Sequence, residues 1–200
     1  VEFERMVHIA NNLGKPVMGA FDGIMPTLGD MFQPAVFDSL SESRCSILAN
    51  FGVGYNHIDI DAALQRGVTV SNTPGAVTDA TADIAMTLML MSARRAGEGE
   101  RLVRSGEWEG WHQTQMLGLH LSGKTVGIVG MGRIGQAIAQ RCHYGFGMKV
   151  GYVSRSPKIL PFEAAAFGSL IELASAVDVL VLAVPGGAET HHLVNADVLN

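Results

Sequence analysis

Residues 124–135 read Lys-Thr-Val-Gly-Ile-Val-Gly-Met-Gly-Arg-Ile-Gly, and this stretch decides the fold. A β-branched run, Val126–Val129, predicts a strand that leads into Gly130-x-Gly132-x-x-Gly135 and then into a helical pattern. Gly130 permits a tight turn, Gly132 lets a pyrophosphate approach the backbone, and Gly135 lets the helix pack against the strand. The helix N-terminus offers unpaired N–H groups to phosphates. This context predicts a Rossmann-type dinucleotide site, with a purely structural glycine turn as the alternative.

The segment after the next predicted strand, Met148–Val153, indicates which dinucleotide is bound. Sites specific for NAD place an acidic residue there to bind the ribose 2′-OH. This chain instead has Ser154-Arg155-Ser156, and no acid follows until Glu163. Because an Arg flanked by hydroxyls can bind a 2′-phosphate that a carboxylate would repel, we expect NADP(H) to be preferred and NAD(H) to remain possible. The alternative is that Arg155 is an ordinary surface residue.

Composition excludes several classes of partner. The chain has 200 residues, of which 48% are hydrophobic, enough for a sizeable core. Its net charge is −5 and no basic block is present, so nucleic acid and anionic membranes are not expected as partners. The longest apolar stretch, Ile84–Met91, is far shorter than the roughly 20 residues of a membrane span. Cys45 and Cys142 lie outside any CxxC pattern, which favours reduced thiols and a cytoplasmic protein.

Both ends of the sequence resemble cuts. The chain begins at Val1 without Met and stops at Asn200 inside a predicted helix. From residue 124 onward we expect about four strands, whereas a complete doubly wound dinucleotide fold has about six. The sequence therefore predicts an internal segment of a longer protein.

The first 76 residues predict an α/β unit with its own sheet. The expected strands are Asp22–Pro26, Ser46–Phe51 and Val68–Ser71, and the expected helices are Pro34–Leu40 and Ile58–Arg66. This alternation predicts a parallel sheet separate from the one that begins at residue 124.

A long helix is predicted to link the two halves over residues 78–105. Residues 84–91 are apolar on nearly every face, which predicts burial. Gly97 and Gly99 are expected to bend this helix.

The remainder of the chain continues the α/β pattern. The expected elements are a strand over Ala164–Phe167, a helix over Ser169–Ala176 and a buried strand over Asp178–Val184. Pro185 and Thr190 follow the last strand, at the carboxyl edge where ligands of open α/β sheets bind.

Several spaced motifs together resemble one enzyme family. They are Asn50-Phe-Gly-Val-Gly-Tyr-Asn-His-Ile-Asp59, Val70-Ser-Asn-Thr-Pro-Gly75, Thr78-Asp-Ala-Thr-Ala-Asp83, Arg104-Ser-Gly-Glu-Trp108 and the stretch from Gly123 to Gln136. Over about residues 20–200 the chain resembles the D-isomer-specific 2-hydroxyacid dehydrogenases, and within them the NADPH-dependent glyoxylate/hydroxypyruvate reductases.

The resemblance implies an architecture and an activity. Residues 1–76 would be part of a flavodoxin-like substrate domain, and residues 77–200 part of an NAD(P)-binding domain that includes the linking helix. The implied reaction is hydride transfer between NADPH and a small 2-keto or 2-hydroxy acid. The resemblance also implies a homodimer, with the linking helix and the nucleotide domain at its interface.

The resemblance further assigns roles to individual residues. Val53 and Gly54 would hold the substrate carboxylate through their amides. The implied coenzyme-binding residues are Thr81 near the nicotinamide; Gly130, Met131, Gly132, Arg133, Ile134 and Gly135 at the pyrophosphate; Ser154, Arg155 and Ser156 at the 2′-phosphate; and Val184, Pro185 and Thr190 on the adenosine side.

No catalytic residue is assigned within these 200 residues. The family's substrate-clamping Arg and its His–Glu acid/base pair all correspond to positions beyond Asn200, so we expect the isolated segment to be inactive. His57 could be proposed as a base, but we expect a solvated or helix-capping histidine. His191 and His192 have no further ligand at a helpful spacing, so no metal is expected.

Other functions remain open at this stage. A related dehydrogenase acting on 2-ketogluconate or phosphoglycerate has the same motifs. The fold also serves in non-enzymatic corepressors that sense dinucleotides, although those relatives use an acidic residue to bind NAD. A fragment without a function of its own is the third possibility.

Overall fold

The computed structural model describes residues 14–39 and 43–200. Contacts divide the chain into two compact units, residues 1–77 with 185–189 and residues 78–184 with 190–200. Each unit contains its own parallel sheet. This confirms the predicted α/β class with a Rossmann-like parallel sheet.

The first unit alternates helices and strands. Its elements are α1 (Gly14–Ala20), β1 (Gly23–Ile24), α2 (Pro34–Asp38), β2 (Ile47–Ala49), α3 (Ile60–Gln65) and β3 (Thr69–Ser71). The three strands are parallel in the order β1-β2-β3. Helix α3 begins where predicted to within two residues, because the Asp59 side chain accepts a hydrogen bond of 2.8 Å from the Ala62 N–H and caps it.

The strands of this unit are shorter and less buried than the sequence predicts. The expected strand Asp22–Pro26 reduces to two residues, neither of them buried, and in β2 only Leu48 is fully buried. Apolar runs indicate which side chains are buried but not where the pairing of two strands ends. Phe51 lies beyond the end of β2, and its N–H donates to the Pro26 carbonyl at 2.8 Å. The predicted end of α2, Leu40, lies outside the described residues.

The second unit contains a four-stranded parallel sheet. Its elements are α4 (Thr78–Ala93), α5 (Ala96–Ser105), β4 (Thr125–Val129), α6 (Arg133–Gln140), a π-helical turn (Arg141–Gly145), β5 (Lys149–Val153), β6 (Ala164–Ala166), α7 (Leu170–Ala176) and β7 (Val179–Leu182). A 3-10 turn (Ala188–Thr190) and α8 (Ala196–Leu199) follow β7 along the chain. The strand order is β6-β5-β4-β7, so β4 with its glycine turn lies inside the sheet and β7, predicted to be buried, lies at its edge half-exposed.

Two glycines let α7 pack closely on this sheet. A Cβ at Gly127 of β4 would lie 3.1 Å from Leu173 of α7, and a Cβ at Gly151 of β5 would lie 2.9 Å from the same side chain. Leu173 is fully buried as a result. The Leu173 side chain therefore occupies the space that side chains at positions 127 and 151 would otherwise fill.

The predicted linking helix over residues 78–105 is two helices. Helix α4 ends at Ala93, and Arg95 has the left-handed φ of 54°. Gly97 and Gly99, expected to bend the helix, lie inside α5 instead. The break therefore occurs before the glycines, at a residue whose type does not favour that conformation.

A contact distant in sequence lies at the break. The Leu119 N–H donates to the Ala93 carbonyl at 2.7 Å, so this carbonyl is satisfied by a later segment of the chain. Gly118 lies against the same carbonyl, which a Cβ at position 118 would strike. A local pattern over residues 78–105 does not contain this information.

Helix α4 is buried on one face only, contrary to the prediction for residues 84–91. Met86 and Met89 are buried in the core of the unit, whereas Ile84 and Leu88 are 59% and 61% exposed. An apolar face of α4 is thus left uncovered in a single chain. Among the described residues, no helix combines the length and the apolar content needed to cross a bilayer.

Candidate functional site

Two glycines of the turn after β4 are required by the fold itself. Gly130 has a φ of 95°, and a Cβ there would lie 2.6 Å from the Ala183 carbonyl and 2.8 Å from Val184. A Cβ at Gly135 would strike the Gly130 carbonyl oxygen. The turn is therefore compressed between the end of β7 and the first turn of α6.

Gly132 differs, because the fold does not need a glycine there. It is exposed, it has an ordinary φ of −81°, and a Cβ would meet nothing within 4 Å. It is also the N-cap residue of α6, beside the unpaired N–H groups of that helix. Open space at this place fits a phosphate group that approaches the backbone.

The structure limits how Met131 could bind a coenzyme. Its side chain is fully buried in the core, and its carbonyl accepts a hydrogen bond of 3.2 Å from the Gln136 side chain. Only its backbone N–H could therefore contact a ligand. Gln136 was not among the predicted site residues, since a side chain that binds within its own turn leaves no motif in the sequence.

The predicted 2′-phosphate segment begins beside the glycine turn. Val153, the last residue of β5, pairs with Val129 of β4, and its carbonyl accepts from the Gly130 N–H at 2.9 Å. Ser154-Arg155-Ser156 follows directly. The order of the strands thus brings two motifs that are separated by residues 136–153 to adjacent strand ends.

Lys158 adds a second cation that the sequence analysis missed. Its Nζ donates to the Ser156 hydroxyl at 2.9 Å, and its backbone N–H donates to the Tyr152 hydroxyl at 3.3 Å. Between Ser154 and Lys158 the segment holds two cations and two hydroxyls but no carboxylate. Such a set favours an anion with several oxygen atoms.

The other predicted coenzyme residues lie at the ends of other elements. Val184 follows β7 and lies beside Gly130. Thr81 is exposed in the first turns of α4. Pro185 belongs by its contacts to the first unit, and Thr190 ends the 3-10 turn and belongs to the second.

In the first unit, three carbonyls of the loop that follows β2 accept hydrogen bonds from side chains. The Asn50 side-chain amide donates to the carbonyls of Gly52 and Gly54, at 3.1 Å and 2.8 Å. The Asn72 side chain donates to the Val53 carbonyl at 2.9 Å. Three consecutive carbonyls are therefore held by donors of the protein.

The amides of the same loop are engaged differently. The Gly52 N–H donates to the Asn50 carbonyl at 3.0 Å. In the part of the chain that the structure describes, the N–H groups of Val53 and Gly54 have no acceptor. Two successive backbone N–H groups that are not used within the protein are a recurrent way of binding a carboxylate.

His57 is buried, which corrects the expectation of a solvated histidine. It is 3% exposed, and its Nε2 lies 3.0 Å from the Asn50 Oδ1. Because the Asn50 nitrogen already donates to two carbonyls, its oxygen must accept, so the Nε2 of His57 carries the hydrogen. Burial lowers the pKa of His57, and the charge of Asp30 opposes this in part. The buried, neutral ring is part of the loop's support.

Neither cysteine is placed for reactive thiol chemistry. Cys142 and Cys45 are both buried, and burial raises the pKa of Cys142 to about 11. The Cys142 Sγ contacts the sulfur of Met86 at 3.5 Å. In the described residues, no group of three His, Cys, Asp or Glu side chains could hold a metal ion.

Comparison with known proteins identifies the family. Residues 86–200 match the family model for the NAD-binding domain of the D-isomer specific 2-hydroxyacid dehydrogenases. The chain belongs to this family. The resemblance noted from the motifs is thereby confirmed, and the glycine turn lies inside the matched region.

Curated relatives cover more of the chain. A glyoxylate reductase of Thermococcus kodakarensis is 45% identical over 184 residues, which are 89% of this chain and 54% of the relative. A glycerate dehydrogenase of Hyphomicrobium methylovorum is 39% identical over 179 residues. The chain thus spans about half the length of the curated relatives it matches.

Solved structures share the fold. A Thermus thermophilus protein has 41% sequence identity and a TM-score of 0.82 over 93% of this chain and 58% of its own. An NADPH-dependent glyoxylate/hydroxypyruvate reductase of Sinorhizobium meliloti, solved with NADP and malonate, has 38% identity and a TM-score of 0.79 over 92% of this chain and 56% of its own.

Proposed function

We propose that the protein carrying this chain is an oxidoreductase that transfers a hydride between NADPH and a small 2-keto acid such as glyoxylate or hydroxypyruvate. The observation that carries the proposal is the position of a glycine turn and a cationic, acid-free segment at adjacent ends of β4 and β5. The names of the relatives support the choice of substrate class.

In this proposal the second unit holds the coenzyme, which when bound supplies the hydride from its nicotinamide ring. Gly132 and the N-terminus of α6 receive the pyrophosphate, helped by Arg133. Arg155 and Lys158, with the hydroxyls of Ser154 and Ser156, receive the 2′-phosphate. Thr81 contacts the nicotinamide side, and Val184, Pro185 and Thr190 border the adenosine.

The first unit holds the substrate in the same proposal. The N–H groups of Val53 and Gly54 donate to its carboxylate, which fixes the orientation of the neighbouring keto group. Residues 1–76 would then be part of the substrate domain and residues 77–200 part of the NAD(P)-binding domain.

We further propose a homodimer located in a reducing compartment such as the cytoplasm. The exposed apolar face of α4, with Ile84 and Leu88, and the 76% exposed Trp111 in the same unit favour a second copy as the partner. Two buried, unpaired cysteines are compatible with such a compartment.

A charge reversal tests the coenzyme assignment. In Arg155→Asp we expect the KM for NADPH to rise by about tenfold to a hundredfold and the KM for NADH to change little, since charged hydrogen bonds to the 2′-phosphate are lost. Lys149→Asp is the matched control, because it makes the same charge change at the opposite end of β5.

The outcomes separate the candidate functions. An unchanged ratio of the two KM values in Arg155→Asp would contradict the 2′-phosphate assignment. Saturable NADPH binding without turnover of glyoxylate, hydroxypyruvate or 2-ketogluconate would instead point to a dinucleotide sensor.

A further inference from the structure

The buried polar residues of the described chain lie together behind the loop over residues 52–54. Asn50 is 1% exposed, His57 3% and Asp30 5%, and all three belong to the first unit. Asp30 is satisfied by its own turn, since it accepts from the Thr27 N–H and hydroxyl at 2.7 Å and 3.0 Å. Asn50 is instead directed towards the loop, and His57 is directed towards Asn50.

The hydrogen bonds of Asn50 have only one consistent arrangement. Its nitrogen faces the carbonyls of Gly52 and Gly54, and its oxygen faces the Nε2 of His57. Rotating the amide by 180° would place its oxygen against two carbonyl oxygens; the Gly54 carbonyl would lose its donor, and the Gly52 carbonyl would keep only the Thr73 N–H, at 3.1 Å. The N–H of His57 therefore selects the orientation of Asn50, and Asn50 selects the orientation of the loop carbonyls.

The backbone around His57 is also fixed. The His57 carbonyl accepts from the Phe32 N–H at 2.8 Å and from the Gln33 side chain at 3.3 Å. These bonds hold the backbone of His57 next to the Phe32–Ile58 bridge, and the bond to Asn50 holds the ring. Asp30 is the charged group that acts on the ring.

We propose that Asn50 and His57 are positioning residues for the substrate carboxylate, which act by turning the carbonyls of Gly52 and Gly54 inward so that the N–H groups of Val53 and Gly54 stay available to the anion. This rests on the proposed function, in which those two amides bind the carboxylate. Neither residue touches the substrate, so the effect is on binding geometry and not on proton transfer.

Three variants of the purified protein that carries this chain, each saturated with NADPH, test the proposal. Asn50→Asp keeps the size and the acceptor for His57 but replaces two donors by an oxygen that faces carbonyls. His57→Gln keeps an N–H that can reach Asn50, and His57→Leu removes it. The probe is malonate, titrated by calorimetry, together with the KM for glyoxylate and the dissociation constant of NADPH.

We expect Asn50→Asp to raise both the malonate dissociation constant and the glyoxylate KM by about tenfold or more, because the amides lose their fixed orientation. His57→Leu should weaken both in the same direction, and His57→Gln should restore them to within about threefold of the original protein. NADPH affinity should stay unchanged in all three, since every proposed coenzyme residue except Pro185 lies in the other unit. A variant that had lost its overall structure would bind NADPH more weakly as well, so this measurement separates a local effect from unfolding.

Equal malonate affinity in the original protein and in folded Asn50→Asp would overturn the proposal. If Asn50→Asp does not fold, equal affinities of His57→Leu and His57→Gln would overturn it in the same way. Absence of malonate binding to the original protein also overturns it. Malonate binding that depends on Asn50, in a protein that reduces no keto acid, supports the positioning role and removes only the proposed function.

Discussion

Gly132 and Gly135 belong to one motif, but different forces require them. Gly135 leaves no room for a Cβ because the Gly130 carbonyl lies against it, whereas a Cβ at Gly132 would meet open space. The first requirement comes from the folded chain. The second has no cause inside the chain and fits a bound phosphate.

This difference makes a testable pair. Gly132→Ala should leave the free energy of unfolding nearly unchanged and weaken NADPH binding by about tenfold or more, because its methyl group would occupy the space of the phosphate. Gly135→Ala should lower the free energy of unfolding by about 1–3 kcal/mol through overpacking. Urea denaturation and fluorescence titration with NADPH measure the two effects. NADPH affinity that is equal in Gly132→Ala and the original protein would refute the pyrophosphate assignment.

The burial of His57 predicts a pH dependence of stability. Its pKa lies below the usual 6.5 in the folded protein, so between these two values the unfolded chain binds a proton that the folded chain does not. The free energy of unfolding should therefore fall as the pH decreases below about 6.5, and His57 should contribute no slope above it.

His57→Gln provides the comparison, because Gln does not titrate. Urea denaturation between about pH 5 and pH 8 should show a shallower acid slope in this variant than in the original protein. Equal slopes would mean that another group causes the acid loss of stability.

At the scale of elements, the interruption between α4 and α5 shows how a tertiary contact replaces a local signal. Gly97 and Gly99 lie within α5, and the break is fixed by the bond from Leu119 to the Ala93 carbonyl. Helix propensity alone would have favoured a break at the glycines.

Two substitutions separate these explanations. Gly97→Ala should raise the free energy of unfolding by about 0.5–1 kcal/mol, because its Cβ would meet only the tip of the Arg101 side chain, 3.5 Å away, and alanine favours a helix. Gly118→Ala should lower it by about 1–3 kcal/mol, since its Cβ would strike the Ala93 carbonyl. If Gly118→Ala instead raised the free energy of unfolding and Gly97→Ala lowered it, the glycines and not the Leu119 contact would explain the break.

At the scale of the whole molecule, the exposed face of α4 bears on assembly. Leu88→Glu places a charge on that face and should shift the protein from dimer to monomer in sedimentation velocity. Leu64→Glu is the control, because Leu64 is equally exposed, at 61%, but lies on α3 of the first unit. A monomeric original protein, or a dimer unaffected by Leu88→Glu, would refute this interface.

Local sequence determined the features that depend on neighbouring residues. The stretch 124–135 specified strand, turn and helix because three glycines and the β-branched run act within one element. Asp59 caps α3, and Gly67, at a φ of 69°, ends it near the predicted position. The four strands after residue 124 followed from their β-branched and apolar runs.

Only the tertiary structure decided which side chains meet across the sequence. The burial of His57 against Asn50, the Lys158 ammonium beside Ser156 and the break before Arg95 each depend on backbone positions set by other elements. A hydrogen bond requires two groups within about 3 Å, and residue spacing along the chain does not fix that distance once a turn intervenes. The motif therefore indicated the family and the glycine turn, and packing established how the loop over residues 52–54 is held.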